Sequence, residues 1–458
     1  MQSQQVIVAP RSPANTLGEH VRRTLMLALP VTVARVGILA IVAVDIAMTG
    51  HAGTDQLAYY GLAMAPQVVM LIVGIGLLMG TVVLTAQADG AGHSAECGAV
   101  WRISLVHALG IGVVFMLLCQ AGEWFLALFG QAPDLARGAG GVLAVIGWSM
   151  PAILLHTATV HFLEGINRPA PGMVVILFAN LINGALNWLF VYGNWGLPAM
   201  GAEGAALATA IVRWFMFLAL AGYALTRVDR RRYGIAGKIA GARDIGRRLR
   251  RIGYPMGLSH GLESSSFAAM TMFAGLLGPV EVGGYQVAMN LVALAFMVAL
   301  GFATAASVRV GNAVGRRDRT GLRLAGWVAV GLAVLALAAI GVVYYSLPGA
   351  LTAIYTSDEA VAAVAVPTIA VAAAVLVFDG GQGVCMGALR AVADVWPATV
   401  LYLFSFWLVM VPLGYVMGVE RGGGAPALMV SVGVGCATAV TLLGLRFHLV
   451  SRRAVARS

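Results

Sequence analysis

Three carboxylic acids stand in stretches that are otherwise largely apolar: Asp45 in IVAVDIAM, Glu263 in HGLESSSF and Asp379 in AVLVFDGG. An ionised carboxylate at the centre of a membrane-embedded helix costs about 2.5–3.5 kcal/mol on insertion scales. Such a group escapes the cost by taking a proton, and a pair of carboxylates with oxygen ligands beside them can instead hold a sodium ion. Either way a cation is loaded and unloaded, which is the chemistry of ion coupling. The chain has only 19 acids, and three of them in apolar runs favour a working role over structural hydrogen bonding alone.

The neighbouring polar residues divide into two sets. Asn183 and Asn187 share one helix face, with Asn180 one turn earlier, and buried amides of this kind either glue helices or serve a site such as that of Asp45. Ser264, Ser265 and Ser266 follow Glu263. His260, one turn before it, is a candidate to share its proton, and Phe296 a candidate to offer a ring face to a cation, although packing is the commoner role of both residue types. Arg35 lies ten residues before Asp45, roughly 15 Å along a helix, which excludes a direct pair. It is expected to snorkel toward water rather than meet an anionic ligand.

The elements that must position these groups are membrane helices. The 458 residues are 60% hydrophobic and 10% charged, with a mean hydropathy of +0.88. A hydrocarbon core of about 30 Å takes roughly 20 apolar residues as a helix. Runs of that length recur at about 24–49, 60–86, 99–121, 140–163, 171–192, 201–226, 252–275, 283–308, 324–346, 363–386, 397–418 and 426–447, predicting twelve spans. None shows the short alternation of a membrane barrel.

The net charge of +10 is laid out by membrane side, so it sets topology and does not read as nucleic-acid binding. Arg11, Arg22, Arg23, Arg102, Arg168, ten Lys/Arg from Arg227 to Arg251 (Lys238 among them), Arg309, Arg316, Arg390 and Arg457 fall at one set of span ends. The alternate loops hold Arg137 and Arg421 among many acids. The positive-inside rule then predicts a multi-pass protein of the inner (plasma) membrane with both termini cytoplasmic. The polar first twenty residues, followed by a long apolar run, predict no cleaved signal peptide. Cys97, Cys119, Cys385 and Cys436 form no ligand-spaced group and read as packing residues.

Residues 227–251 divide the twelve spans into six and six, predicting an N-lobe over 1–226, a basic cytoplasmic linker over 227–251 and a C-lobe over 252–458. A shift of 225 residues brings Pro30 onto Pro255, Tyr60 onto Tyr285, Gly76 onto Gly301 and Gly90 onto Gly315. One residue more brings Glu164 and Arg168 onto Arg390 and Asp394, with the charges reversed. Six spans between equivalent points make the repeat parallel, an arrangement of transporters that rock two bundles about a central cavity.

These residues, together with YGLAMAP, AQADGAG, EGINRP, NLINGALNWLFVYGNWGLPAMGAEGAALAT, GYQVAMN, SVRVGNAVGRRD and ALRAVAD, resemble the multidrug and toxic compound extrusion (MATE) transporters, NorM-like branch, over essentially the whole chain. The resemblance implies an all-α membrane fold of twelve helices in two pseudo-symmetric six-helix lobes forming a V. It further implies export of bulky, often cationic and aromatic, drug-like compounds by antiport with Na+ or H+. Carried over residue by residue, it makes Asp45 the N-lobe acid with Asn183, Asn187 and Thr209 around it. It makes Glu263 and Asp379 the C-lobe pair, with Phe296 near them and Tyr285 and Asn290 of GYQVAMN in the supporting set. Val375 stands one turn before Asp379 where sodium-coupled relatives have tyrosine, which favours protons over Na+ at Glu263 and Asp379.

The nearest rival is an exporter of lipid-linked sugars or of one metabolite on the same plan, which an arginine-rich cleft would favour; well inside the predicted spans, away from their ends, stand only Arg35 and Arg213. An enzyme would need a convergent set, and His156, His161 and Glu164 fit metal spacing poorly. No filter loop or large ligand domain suggests a channel or receptor. The reading is a monomeric transporter with the lipid bilayer, a small organic cargo and a coupling ion as partners, and no cofactor.

Overall fold

The structure, a computed structural model, describes residues 17–128, 130–237 and 241–453. Arg11, Lys238 and Arg457, most of the segment read for a signal peptide, and the outermost residues of both expected lobes lie outside the described residues. Among the described residues there is no β-strand.

The first six crossings are α1 (Leu17–Ala52), the broken pair α2 (Thr54–Leu77) and α3 (Gly80–Gly90), α4 (Ser94–Gln120), then, after the short α5 (Gly122–Leu128), the bent pair α6 (Pro133–Gly147) and α7 (Met150–Gly165), α8 (Ala170–Phe190) and α9 (Gly201–Arg227). The second six are α10 (Ala242–Leu277), α11 (Pro279–Gly315), α12 (Arg319–Ser346), α14 (Glu359–Ala391) after the short α13 (Pro348–Ala353), a composite crossing, and α17 (Gly424–Arg453). The composite crossing joins α15 (Val395–Tyr402) and α16 (Val411–Gly414) through π-helical stretches. Pro412 lies in its middle, and its missing N–H removes a helical bond there. Ten crossings are long and apolar enough to span a membrane as they stand, and the α6/α7 pair, bent by 44°, makes an eleventh. The twelfth, α10, is 36 residues long but diluted by His260, Glu263 and three serines. Leu181, Met272 and Leu335 point outward, as a lipid-facing surface allows.

The helices run several residues past the hydropathy boundaries. Residues 242–251, expected as linker, instead form the first turns of α10, entered at Gly241 with φ 68°. Arginine is a good helix former and nothing in ARDIGRRLRR breaks a helix. The remaining linker folds back on α4, with the Gly98 N–H donating to the Tyr233 carbonyl (2.8 Å) and Arg102 to that of Gly234 (3.2 Å).

The two six-helix lobes meet by the same contact made twice. Helix α1 packs on α11 and α10 packs on α2, as a pseudo-two-fold axis between them requires. Gly90 and Gly315 mark where the backbones come closest. A Cβ on Gly90 would lie 2.2 Å from the Asn312 carbonyl oxygen, and one on Gly315 2.1 Å from that of Gln87. Positions 87 and 312 are themselves 225 apart, so each glycine meets the repeat mate of the residue that the other glycine meets. These contacts lie at the end of the molecule that carries the basic loops.

Two residues assigned to those loops are buried instead. Arg309 reaches from α11 to the start of α1, donating to the His20 carbonyl (2.7 Å) and to Thr24. Arg390, near the end of α14, is 5% exposed. Both follow from the longer helices, which carry these positions inside the bundle before the chain turns.

Candidate functional site

Asp45 is 1% exposed and accepts four hydrogen bonds. Asn183 and Asn187 donate to Oδ1 (3.0 and 2.7 Å), while Tyr60 and Thr209 donate to Oδ2 (2.8 and 2.5 Å). Four neighbouring donors fill the accepting capacity of an ionised carboxylate, and among these four bonds a protonated Asp45 would find no acceptor for its O–H. The helical spacing of four puts both amides on one face of α8, and α1, α2 and α9 bring the other groups to it. Asn180 does a different job: its amide donates to the Gly37 carbonyl (3.0 Å), tying α8 to α1 away from the acid. Tyr60 carried a signal in the sequence, its coincidence with Tyr285, that did not by itself point to Asp45.

Glu263 and Asp379 come together through a residue the sequence reading did not single out. The amide nitrogen of Gln382 donates to Glu263 Oε1 (3.0 Å) and to Asp379 Oδ1 (3.2 Å). The Tyr402 hydroxyl donates to Gln382 Oε1, which fixes the nitrogen toward the acids. Gln382 stands three residues after Asp379, on the same helix face, and that spacing was the available signal. Tyr402 lies on another crossing, and no local pattern announces it. Cys436, read as a packing residue, rests its sulfur 3.7 Å from Asp379 Oδ1. His260 Nδ1 is 3.6 Å from Glu263 Oε2, and its other ring nitrogen is buried without a partner.

The remaining expected residues fall apart from the pair. The Tyr285 hydroxyl is buried and makes no hydrogen bond. Asn290 is exposed and accepts from Tyr355 (2.9 Å). Val375 packs against Gly433. Ser264 faces the cavity, whereas Ser265 and Ser266 turn their hydroxyls back to α10 carbonyls.

A cavity of about 320 Å³ lies between the lobes, walled by Ile72, Ile75 and Met79 on one side and Phe267, Met289 and Phe296 on the other. Glu263 and Asp379 line it, and Asp45 does not. Arg35 and Arg390 also line it, so Arg35 turns toward the space between the lobes. Arg213, the other arginine expected in a span, donates to Ser149 (2.9 Å) inside the N-lobe. Glu164, placed by sequence at a helix end, is 3% exposed with Oε2 unpartnered, and it is a fourth carboxylate within the bundle. His161 bonds the Leu78 carbonyl at the α2/α3 break (3.2 Å), which also accepts from the Thr81 N–H (3.0 Å). Its work there is structural.

The MatE family model matches residues 30–189 and 255–416. The chain is 37% identical to the probable multidrug resistance protein NorM of Caulobacter vibrioides over 97% of this chain and 94% of that one. It is 30% identical to the multidrug resistance protein NorM of Aliivibrio fischeri over 87% of each. Its fold matches the outward-facing structure of a multidrug resistance MATE family transporter with a TM-score of 0.88, at 18% identity, over 95% of this chain and 96% of that one.

Proposed function

The chain belongs to the MatE family, and on that premise we propose that it exports bulky organic cations by antiport with protons, its lobes (1–226 and 252–458) rocking about the central cavity. The observation that carries this reading is the placement of Glu263 and Asp379, bridged by Gln382, in the wall of a cavity that both lobes build. An occupant of that cavity feels whether these acids are charged. A cationic cargo favours them ionised, and a proton arriving on either weakens its hold.

Protons are favoured over sodium by the amide between the two carboxylates. The Gln382 nitrogen, held by Tyr402, sits where a shared cation would have to sit. Val375 supplies no oxygen ligand. Asp45, enclosed by its donors, senses the cargo only through the N-lobe, so its loading sets lobe arrangement and not cargo contact.

In this reading the basic loops are cytoplasmic, the protein sits in the inner membrane as a monomer, and the lobes meet at the cytoplasmic end. Binding must differ between arrangements for a gradient to drive export, since a ligand held equally by both shifts nothing. The test uses proteoliposomes given a pH gradient or a sodium gradient separately, with transport of a fluorescent organic cation followed. Transport under the pH gradient alone supports the proposal. Transport only under sodium overturns the proton assignment, and none under either overturns antiport.

A further inference from the structure

The first turns of α10 carry one exposed stripe. Arg243, Arg247, Arg250, Arg251, Tyr254 and Leu258 are all exposed, and the helical rotation of about 100° per residue gathers them within about a third of the circumference. Ile245, Gly246, Leu249 and Ile252, on the other side, are buried. Along the stripe the chemistry runs from guanidinium to phenol to alkyl, the order met on passing from water through lipid headgroups into acyl chains. Trp396 marks the same depth on the neighbouring crossing. The Thr399 hydroxyl donates to the Pro255 carbonyl (3.1 Å), so Trp396, three residues earlier and 53% exposed, stands level with the turn that holds Arg251 and Tyr254.

The repeat shows that the fold does not require these charges. The shift of 225 residues sets Arg250, Arg251, Tyr254 and Leu258 on Leu25, Met26, Leu29 and Val33 of α1, and Met26, Leu29 and Val33 are exposed apolar side chains. Where the N-lobe offers acyl chains a thioether and an alkyl group, the C-lobe offers a guanidinium and a phenol. The protein neutralises only part of the stripe. Arg248, beside it, pairs with Glu96 (3.1 Å) and Arg247 with Asp244 (3.6 Å). Arg250 meets the His107 ring (2.9 Å), whose other nitrogen bonds the Ile103 carbonyl (2.9 Å). A ring that donates to the carbonyl and accepts from the guanidinium is neutral, so it leaves the charge of Arg250 uncompensated. Among the described residues Arg251 makes no hydrogen bond or ion pair.

We propose that Arg250 and Arg251, with Arg247 one turn earlier and the Tyr254 hydroxyl, bind the headgroup phosphate of an anionic phospholipid in the leaflet on the side of the basic loops. A guanidinium fork matches a phosphate through paired N–H donors, and an anionic surface attracts arginines at headgroup depth. A zwitterionic headgroup would set its own ammonium against them. The site straddles the lobes, since His107 stands on α4 and Arg250 on α10, so bound lipid steadies this seam.

The test titrates the full-length protein in detergent with dioleoylphosphatidylglycerol and dioleoylphosphatidylcholine, bound lipids being counted by native mass spectrometry. The first phosphatidylglycerol is expected to bind about tenfold or more tighter than phosphatidylcholine. Arg250→Leu combined with Arg251→Met, the pair that α1 already carries at the equivalent positions, should bring this ratio close to one with phosphatidylcholine affinity retained. Arg251→Met alone should lower it severalfold. Arg319→Gln combined with Arg323→Gln removes the same charge from α12 and should leave the ratio unchanged. Equal affinities for the two lipids in wild type overturn the proposal. So does an α12 variant that loses as much selectivity as the α10 variant, because bulk charge then explains it. Displacement of the bound lipid by excess glycerol phosphate would identify a site for free phosphate and overturn the lipid assignment.

Discussion

Tyr60 and Tyr285 stand at equivalent points of the two lobes, both fully buried, yet only Tyr60 has an acid to bond. The reason lies 15 residues earlier: the repeat mate of Asp45 is Met270, which packs against Gly414 in the C-lobe. The duplicated scaffold therefore kept its tyrosine on both sides and its first-helix acid on one. The C-lobe carries its acids on α10 and α14 instead, where they face the cavity. The two removals should differ in sign or size. Tyr60→Phe should cost about 1–2 kcal/mol by removing a donor to a buried carboxylate, whereas Tyr285→Phe removes an unpartnered hydroxyl and should be neutral or stabilising. Thermal unfolding of both variants in one detergent checks this, and equal losses would refute the asymmetry.

Asp45→Asn supplies a side chain of the same shape that takes up no proton. With four donors already aimed at position 45, the new amide N–H faces another donor, a conflict worth about 1–3 kcal/mol. The protein should insert and bind an organic cation, while pH-driven transport falls to background. Wild-type rates from this variant in proteoliposomes would remove Asp45 from the coupling cycle.

Tyr402→Phe leaves both carboxylates in place and releases Gln382 to turn over. A turned amide presents its oxygen to Glu263 and Asp379, replacing two donated hydrogen bonds by repulsion. Loss of the orienting bond is worth about 1 kcal/mol or more, so transport should fall several-fold. Gln382→Ala, which removes the amide, should open room for a cation and let sodium compete. Sodium-dependent quenching of transport in Gln382→Ala but not in wild type is the expected result. Insensitivity of both would separate the amide from ion choice.

Twelve crossings, the repeat and the three mid-span acids were legible in the sequence because each leaves a one-dimensional trace: apolar runs, a fixed shift, and charge where hydropathy forbids it. Asn183 and Asn187 were legible as partners by helical spacing. What assembles between crossings was not. Tyr402 meets Gln382 across 20 residues of chain and Asn183 meets Thr209 across 26, and no local period encodes such meetings. Arg35, Arg309, Arg390 and Glu164 were placed toward water because hydropathy prices a charge without knowing which groups a neighbouring helix will offer it.

Asp229 gives the linker a pH dependence of known sign. The N–H groups of Arg232 and Arg231 donate to its carboxylate (3.0 Å each) and hold it below the usual carboxylate range. A group lowered on folding contributes fully above its unfolded value, about 3.9, and its contribution is lost as pH falls through the depressed folded value. Hydrogen exchange at residues 231–235, corrected for intrinsic rates, should thus stay protected from neutral pH down to about 5 and open only in stronger acid. Asp229→Ala should open the same segment at every pH, and protection unchanged by that substitution would detach the turn from linker docking.

Gly90→Ala and Gly315→Ala test whether the lobe contact is the element that switches. Each added Cβ would fall within about 2.2 Å of a backbone oxygen of the other lobe. Side-chain adjustment cannot relieve a clash with backbone, so the lobes must separate at this end. Within either lobe the residues remain packed as before, so secondary structure should persist. Cysteine pairs placed across the contact, at Ala91 and Arg316 for example, should cross-link readily in an otherwise wild-type background and poorly in either variant. The cavity should become reachable to a membrane-impermeant thiol reagent from the side carrying the basic loops. If cross-linking is unchanged, the glycines are packing residues of a rigid seam, and lobe motion must be sought elsewhere.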